Sequence, residues 1–503
     1  MEKVVTSEKN EISRSIDIEV LVIGAGLGGV GAAAKLIQAG HEEITILEAG
    51  NDVGGVWRTN RYPNVACDTP IDLYCYSFFP GDTWTTNFAP GNEIQAYLRR
   101  LSAHFGVTPK IHFNTRVASA VWMEESGCWK VTSTAGQEWV ARYLIWAGGL
   151  FSQPLLTVAE GLETFTGLSV HSTEWHDGID LKGKRVAVVG AGATSIQVVP
   201  YAQEQAEKLI VFVRTPSYVS PRPDIVFSES ERGTPEFVAR LFERRKEWFD
   251  RFEVITKTRF PMNEKLVREQ EAAWKKVFES QVEDPQKREV LIPKYRYGCK
   301  RPLFSSMYYP AVSQENVELV GRGVSHVDGD CIVDTEGERY PVDVIIWATG
   351  FNTVGMLNGI DIRGAGGREL AKEWDPVPKA YFGTLAKGFP NLFVIAGPNT
   401  GSPGTTDIIE AQIDLLIRVI EEAQSVFATS VEVYPDHFDS FNEDIRSRGD
   451  ASVLVLGNCN SYYRVGGDGQ VYTHWPDTME SFVTRIGKEG RKGIRFNRSN
   501  DRS

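Results

Sequence analysis

The chain has 503 residues, more than one compact hydrophobic core ordinarily holds, so two or three domains are expected. Its hydrophobic content of 42% and charged content of 24% are ordinary for a globular protein. A formal net charge of −12 argues against nucleic acid or an anionic membrane as the main partner. Residues 1–15 are polar and contain no apolar leader segment, which predicts a cytoplasmic protein.

The first glycine-rich loop lies in IEVLVIGAGLGGVGAAAKLIQAG, between an apolar strand and an alanine-rich helix. Gly24, Gly26 and Gly29 have the spacing that permits a tight turn and close approach of backbone to a pyrophosphate. The next strand, ITILEAG, ends at Glu48, where a carboxylate can accept hydrogen bonds from ribose hydroxyls. These features predict a dinucleotide site, and FAD is the economical assignment.

The second glycine-rich loop lies in KRVAVVGAGATSIQVVP, where Gly190 and Gly192 are followed by Ser195 in place of a third glycine. Serine is small enough to preserve the packing of helix on strand. The following strand, LIVFVRTP, ends in Arg214 and Thr215 instead of an acid, and an arginine attracts a 2′-phosphate. The second site is therefore predicted to bind NADPH.

Two more apolar strands, LIWAGG and VDVIIWATGF, end in small-residue turns, which indicates that the chain passes between two domains there. FPNLFVIAGPNTG then returns as a buried strand beside the flavin. We predict an α/β fold with two Rossmann-like dinucleotide-binding domains, for FAD and NADPH, and a helical insertion. The predicted boundaries are 1–150 and 384–503 for the FAD domain, 151–218 and 297–383 for the NADPH domain, and 219–296 for the insertion.

The insertion carries apolar residues at helical spacing among many charges, which predicts helices that cover part of the NADPH domain. Phe237, Leu241, Trp248 and Phe252 form an aromatic and aliphatic stripe that is predicted to be core. The basic, glycine-containing segment after Lys488 predicts a loose tail.

The cysteines are scattered without a Cys-x-x-Cys pair. They are Cys67, Cys75, Cys128, Cys299, Cys331 and Cys459. Scattered cysteines in a protein without a secretory signal are usually buried thiols, so all six are predicted to be reduced, and no metal site is predicted.

The stretch FTGLSVHSTEWHDG, just before the second glycine loop, places Phe165, Gly167, His171 and Trp175 at the spacing F-x-G-x-x-x-H-x-x-x-W. This pattern resembles the fingerprint of the type I Baeyer–Villiger monooxygenases, a family of class B flavoprotein monooxygenases. His176 stands where that family has Pro or Asp. Related nitrogen and sulfur oxygenases tend to have Tyr or Phe in place of the tryptophan.

Three other segments resemble the family in the same chain order. GGVWRTNRYPNVACD is similar to a motif on the flavin side, with Asn64 in place of the usual Gly or Met. Asp343 together with Ala348, Thr349 and Gly350 is similar to a third motif. GCKRP places Lys300 and Arg301 where the family has a cofactor lysine and an active-site arginine. The similarity extends from about Asp17 to at least Gly401.

The resemblance implies an FAD-containing, NADPH- and O2-dependent enzyme that converts a small-molecule ketone to an ester or lactone through a peroxide adduct at flavin C4a. It implies catalytic roles for Arg301 and Asp68. Arg301 would stabilise anionic oxygen, and Asp68 would neutralise and orient the Arg301 guanidinium. Lys300 would join Arg214 and Thr215 around the 2′-phosphate. Further cofactor contacts are implied at Val56, Trp57, Asp68, Tyr74, Val117 and Thr194.

The same residues leave open whether His171 couples the two nucleotide sites or is a hydrogen-bonded core histidine. The segment GNCNSYY either shapes the substrate pocket or packs as an aromatic turn on the flavin domain. Rival activities are oxygenation of nitrogen or sulfur, an NADPH oxidase, a disulfide reductase and a redox sensor without turnover. Cys67 and Cys75 are too far apart for the usual reductase motif. The particular ketone and the oligomeric state do not follow from the sequence.

Overall fold

The computed structural model describes residues 18–155, 159–354, 356–357 and 359–498. The polar segment 1–15 lies outside these residues. Across the described ranges, no helix combines the length and the apolar character needed to cross a membrane.

The described strands and helices alternate along much of the chain. The strands are β1 (Ile18–Ile23), β2 (Ile44–Leu47), β3 (Ile111–His112), β4 (Val117–Met123), β5 (Cys128–Ser133), β6 (Glu138–Trp146), β7 (Leu168–His171), β8 (Arg185–Val189), β9 (Lys208–Phe212), β10 (Val219–Ser220), β11 (Leu303–Phe304), β12 (Val317–Val320), β13 (Val324–Asp328), β14 (Cys331–Asp334), β15 (Arg339–Pro341), β16 (Val344–Trp347), β17 (Asp361–Arg363), β18 (Leu392–Val394), β19 (Ser430–Val433) and β20 (Ile494–Asn497). The α-helices are α1 (Leu27–Gln38), α2 (Val56–Thr59), α3 (Ile71–Tyr74), α4 (Gly91–His104), α5 (Ala193–Gln205), α6 (Pro235–Arg259), α7 (Glu264–Gln281), α8 (Pro285–Leu291), α9 (Tyr308–Val312), α10 (Leu370–Glu373), α11 (Thr405–Ser425), α12 (Pro435–Asp450), α13 (Val453–Leu456) and α14 (Met479–Glu489).

The first sheet is mixed and has the order β17-β4-β5-β6-β1-β2-β3, with β18 also paired to β6. β1 pairs in parallel with β2 and β6, so its carboxyl end and theirs lie at one edge. β1 and β2 are nearly all apolar because helices such as α1, α4 and α11 cover one face of the sheet. The other face packs on a separate cluster that includes Trp122, Trp129 and Trp146.

The second sheet is parallel, with the order β12-β9-β8-β16-β7. Its central strand β8 pairs with β9 and β16, and α5 follows it directly. Val186 and Val188 on β8 are fully buried, as expected for a strand covered on both faces. The mixed first sheet, the parallel second sheet and the helices that cover them confirm the predicted α/β fold.

The helical segment divides between the two sheets. In α6, Phe237 and Leu241 are buried in the core of the first sheet, and Phe252 packs with Leu73 of α3. Trp274 of α7 is buried in the core of the second sheet. The prediction that the insertion covers part of the NADPH domain is therefore incomplete, because its longest helix, α6, packs mainly on the first sheet.

Two parts of the C-terminal region differ from expectation. Residues 494–497 form β20, which pairs antiparallel with β19, so the predicted loose tail is wrong over this strand. Val453, Leu454, Tyr463 and Val471 pack in the core of the second sheet, although the predicted boundary places them with the first. Tertiary packing decides both placements, and the local sequence pattern carries little trace of it.

Candidate active site

The first glycine loop is a tight turn at the carboxyl end of β1. Gly24 has a φ of +101°, which favours glycine. A Cβ on Gly29 would lie 1.9 Å from the carbonyl oxygen of Gly24, so no larger residue fits there. Gly26 is the N-cap of α1, which leaves the first backbone N–H groups of that helix free to bind an anion.

Glu48 lies next to this loop at the end of β2 and is 8% exposed. Its carboxylate accepts hydrogen bonds from the backbone N–H groups of Ala25 (2.7 Å) and Gly50 (2.6 Å). Each oxygen keeps one more acceptor position, so the carboxylate can also accept from ribose hydroxyls. Thr115 donates its backbone N–H to the Glu48 carbonyl, which brings the start of β4 and Val117 alongside.

The flavin-side motif packs against the same loop. A Cβ on Gly55 would lie 3.0 Å from the Cα of Gly26, and this close approach explains the Gly-Gly pair. α2 begins at Val56, and Trp57 donates its indole N–H to the Tyr74 hydroxyl at 3.1 Å. The structure therefore brings the first group of predicted flavin contacts together.

Asn64, which departs from the family pattern, has a φ of +64°. Asparagine tolerates this left-handed conformation better than other non-glycine residues, so the change from glycine preserves the turn. Its side-chain amide donates to the backbone carbonyl of Gln197 on α5, and Gln197 donates to the carbonyl of Ala66. Sequence reasoning missed Gln197, which connects the flavin-side motif to the second sheet.

The second glycine loop repeats the geometry of the first at the end of β8. Gly190 has a φ of +136°, and a Cβ there would lie 2.3 Å from the Ala348 carbonyl oxygen. A Cβ on Gly192 would meet no atom within 4 Å. Ser195 is fully buried in the first turn of α5, beside the half-buried Thr194, and its Oγ has no hydrogen-bond partner among the described residues.

A cavity of about 590 Å³ lies beyond the end of β9, the strand that pairs with β8. Arg214, Thr215 and Lys300 all line it, as do Asn458 and Cys459 from the C-terminal region. Burial and the neighbouring Arg214 lower the pKa of Lys300, so the two cations lie close enough to repel each other. A dianionic phosphate would relieve that repulsion, which fits a 2′-phosphate.

Asp68 and Arg301 form a bidentate ion pair between the segments carrying the two glycine loops. Arg301 donates from Nε to one Asp68 oxygen at 2.7 Å and from Nη2 to the other at 2.6 Å. The Asp68 carboxylate raises the pKa of Arg301 well above its usual value, so the guanidinium stays charged. The pair is open on one side, because the Arg301 side chain is 40% exposed.

The fingerprint stretch forms β7 and the turn after it. A Cβ on Gly167 would lie 2.3 Å from the Asp343 carbonyl oxygen, so the glycine allows the chain to approach the start of β16. Trp175 is buried against Tyr201 of α5, with ring centroids 6.2 Å apart. His176 is exposed and accepts a hydrogen bond from the backbone N–H of Gly178, which makes the family mismatch a surface feature.

His171, at the end of β7, is 2% exposed and its Nδ1 lies 2.8 Å from the Thr173 hydroxyl. Burial lowers its pKa, which favours the neutral ring at pH 7. Its side chain accepts from the Thr173 backbone N–H and caps a short 3₁₀ turn. The histidine is therefore hydrogen-bonded and buried, and its ring also lies 6.2 Å from Phe351 at the other crossing between the sheets.

The sulfur chemistry differs from the prediction. Cys299 and Cys459 form a disulfide across a sequence separation of 160 residues, so the prediction of six reduced thiols is wrong for this pair. Cys67, Cys75, Cys128 and Cys331 are buried free thiols, as expected. Neither cysteine of the disulfide belongs to a Cys-x-x-Cys pair, and only the tertiary fold brings them together.

Arg259, Tyr463 and His474 cluster near Arg301. Sequence reasoning missed Arg259 and did not single out His474, whereas Tyr463 belongs to GNCNSYY, the segment for which pocket shaping was one of the two alternatives. His474 is 8% exposed, and its ring centroid lies 4.1 Å from that of Tyr463. Burial and the charges of Arg259 and Arg301 keep the pKa of His474 well below its usual value. In the sequence, Arg259 is one of many charges at the end of a long helix, and nothing local distinguishes it.

Comparison with known proteins identifies the family to which this chain belongs. The model of the flavin-binding monooxygenase-like family matches residues 17–354. A Baeyer–Villiger monooxygenase of Streptomyces coelicolor is 36% identical over 471 residues, covering 92% of this chain and 90% of that protein. A Baeyer–Villiger monooxygenase of Pseudomonas aeruginosa is 36% identical over 470 residues, covering 91% of this chain and 87% of that protein.

Solved structures agree with the sequence relatives. Cyclohexanone monooxygenase from Rhodococcus sp. Phi1, bound to NADP+, has a TM-score of 0.86 at 25% identity, covering 96% of this chain and 99% of that one. A steroid monooxygenase bound to NADP has a TM-score of 0.82 at 30% identity, covering 96% and 99%. The enzyme OTEMO, solved with FAD and NADP, has a TM-score of 0.84 at 27% identity, covering 96% and 100%. The chain belongs to the flavin-binding monooxygenase-like family and, within it, to the Baeyer–Villiger monooxygenases, which are FAD- and NADPH-dependent flavin monooxygenases.

Proposed function

We propose that the first sheet binds FAD, that the second binds NADPH, and that the two ligands meet at the Asp68–Arg301 pair. The observation that carries this proposal is the bidentate ion pair itself, at 2.6 and 2.7 Å, between segments associated with the two glycine loops. The predicted flavin contacts lie around Gly26 and Glu48. The predicted phosphate contacts line a cavity with Arg214 and Lys300.

In this proposal the reacting ketone lies beside Arg301. FAD supplies the chemistry that activates O2 once NADPH has reduced it. The Arg301 guanidinium remains charged at every working pH, so it stabilises negative charge on the carbonyl oxygen as the ketone is attacked. Asp68 accepts hydrogen bonds from Nε and Nη2 of Arg301 and so fixes the plane of the guanidinium. It also neutralises the guanidinium, since an unpaired cation in a protein interior is costly.

The product distinguishes this activity from its closest alternative, oxygenation of nitrogen or sulfur. The purified holoenzyme should be supplied with NADPH, O2 and a panel of cyclic and linear ketones, amines and sulfides. We expect esters or lactones from at least one ketone, with one NADPH oxidised per product. Formation of N-oxides or sulfoxides without any ester would refute the ketone assignment, and hydrogen peroxide as the sole product would indicate an oxidase.

Reversing the charge at Arg214 should change the nicotinamide preference. The Arg214→Glu variant places a carboxylate in the cavity that also holds Lys300, and it should repel a 2′-phosphate. We expect the ratio of kcat/KM for NADPH over NADH to fall by about tenfold or more, as one charge-assisted contact is lost. Arg185→Glu serves as a control, since Arg185 pairs with Asp343 away from the cavity. An unchanged ratio in Arg214→Glu would refute the phosphate assignment.

Gly192 offers a test of ligand approach without a change in packing. Its backbone is extended and a Cβ would contact no protein atom, so Gly192→Ala should unfold at the same temperature as the wild type. The added methyl group should obstruct the pyrophosphate, so the KM for NADPH should rise by about tenfold or more. Gly487→Ala, exposed in α14 and also without an atom near its added Cβ, is the control for a surface glycine. Equal NADPH affinity in wild type and Gly192→Ala would contradict the assignment of the second loop.

A cytoplasmic location stays part of the proposal, since NADPH and O2 are both supplied there. The Cys299–Cys459 disulfide is unusual for a reducing compartment. Alkylating free thiols during cell lysis, followed by mass spectrometry of the two cysteine peptides, measures how much of the pair is oxidised in the cell. If the protein is recovered from an exported fraction with the Cys299–Cys459 pair fully oxidised, the cytoplasmic location is wrong.

A further inference from the structure

Arg259 is a buried cation that pairs with none of the carboxylates in the described residues. It is the last residue of α6, is 8% exposed, and donates from Nε to the Gly298 carbonyl at 3.1 Å. Its guanidinium carbon lies 5.4 Å from the ring centroid of Phe260 and 5.8 Å from that of Tyr463. Over the described part of the chain, no carboxylate lies within 4.0 Å of Arg259. Buried cations are ordinarily paired, so this one requires an explanation.

Two polar atoms in this cluster also lack hydrogen-bond partners of normal geometry. They are Nη2 of Arg259 and the hydroxyl oxygen of Tyr463, both buried and unpaired within the described ranges. Burial lowers the pKa of Arg259, and the neighbouring tyrosine oxygen opposes that shift, so the two groups face each other. Buried polar atoms in folded proteins nearly always have a partner. A guanidinium N–H pair next to a hydroxyl is a donor set that suits a carboxylate.

The cluster lies beside the proposed reaction site. Gly298, the acceptor for Arg259, is three residues before Arg301 in the chain. Burial lowers the pKa of Arg259 and of His474. The charge of Arg301 adds to both shifts and that of Arg259 adds to the shift of His474, so the three groups share one environment. Asp68 pairs with Arg301. Within the described ranges no carboxylate pairs with Arg259, so its positive charge adds to the site close to where the substrate carbonyl is proposed to lie.

We propose that Arg259 and Tyr463 bind a carboxylate carried by the ketone, and that the preferred substrates are keto acids. This inference rests on the proposed function, since it assigns the substrate class of the same site. An added carboxylate would pair with Arg259 Nη2 and accept the Tyr463 hydroxyl proton in a hydrogen bond. Arg259 would then act in substrate selection, while Arg301 acts on the carbonyl.

The test compares 4-oxocyclohexane-1-carboxylate with its methyl ester as substrates of the FAD-loaded enzyme. The two compounds differ in charge, and the ring ketone that reacts is the same in both. We expect the wild type to favour the acid by tenfold to a hundredfold in kcat/KM, the range of one or two charge-assisted hydrogen bonds. In Arg259→Met the acid-to-ester ratio should fall to about one. Lys257→Met, two residues away on the exposed side of α6, should keep the wild-type ratio.

Binding of a substrate-like acid gives a second measurement that needs no turnover. Cyclohexanecarboxylate should inhibit the wild type, or perturb the flavin spectrum, at least tenfold more strongly than cyclohexanecarboxamide. If the wild type prefers neither acid over its neutral partner, the carboxylate site is refuted whatever the variants do. If neither ketone yields an ester while the acid still binds selectively, the proposed function fails and the anion site stands.

Discussion

Arg301→Ala is expected to lower the rate of ester formation by about a hundredfold to a thousandfold, the usual cost of removing one donor that stabilises a developing oxyanion. Flavin binding should remain, because the side-chain hydrogen bonds of Arg301 go to Asp68, which lies outside the first glycine loop. NADPH should still be oxidised in air, with most of the electrons now recovered as hydrogen peroxide. The measurement is product formed and peroxide released per NADPH consumed.

Arg301→Lys and Asp68→Asn refine this test. Lysine keeps the charge and loses the planar two-point contact with Asp68, so we expect a rate between those of the wild type and Arg301→Ala. Asp68→Asn leaves the guanidinium charged without its counterion and should raise the fraction of peroxide. Wild-type ester formation by Arg301→Ala would exclude this residue from the chemistry.

Cys459→Ser is expected to lower the thermal stability and weaken NADPH binding together. The Cys299–Cys459 disulfide joins positions separated by 160 residues, and loss of such a crosslink costs about 2 to 5 kcal/mol. Cys299 precedes Lys300 in the chain, and Cys459 lines the same cavity as Lys300. We therefore expect a lower unfolding temperature by differential scanning fluorimetry and a higher KM for NADPH.

A phosphine reductant should reproduce these effects in the wild type and have none in Cys459→Ser. Cys331→Ser is the matched control, since Cys331 is a buried free thiol in the β13-β14-β15 sheet. That variant should respond to the reductant as the wild type does. If reduction of the wild type changes neither the unfolding temperature nor the KM, the crosslink contributes nothing to either property.

The local parts of the site could be predicted from the sequence. The turn at Gly24, the N-cap at Gly26 and the acid at Glu48 are fixed by residues a few positions apart, so strand, loop and helix are visible in one stretch. The same holds for Gly190 and Arg214. Motif resemblance also brought Asp68 and Arg301 together, although 233 residues separate them in the chain.

The parts that the sequence did not predict depend on distant packing. Arg259 becomes distinctive only because α6 ends next to Gly298 and Tyr463. The disulfide exists because the segment after α13 returns to the second sheet instead of the first. The pattern of charges and apolar residues in α6 predicts a helix correctly, but it contains no information about which of the two sheets that helix covers.

The division of the helical segment limits how the two sheets can move. α6 has 25 residues, about 37 Å of helix, and is held to the first body by the Arg244–Asp72 and Arg245–Asp407 ion pairs. α7 belongs to the core of the second body. Only Phe260–Asn263 connects them, and a stretch of that length spans at most about 14 Å. The short connection therefore limits how far the two sheets can separate. Arg259, at the end of α6, already contacts Gly298 and Tyr463 on the side of the second sheet, so the end of this helix links the two nucleotide sites directly.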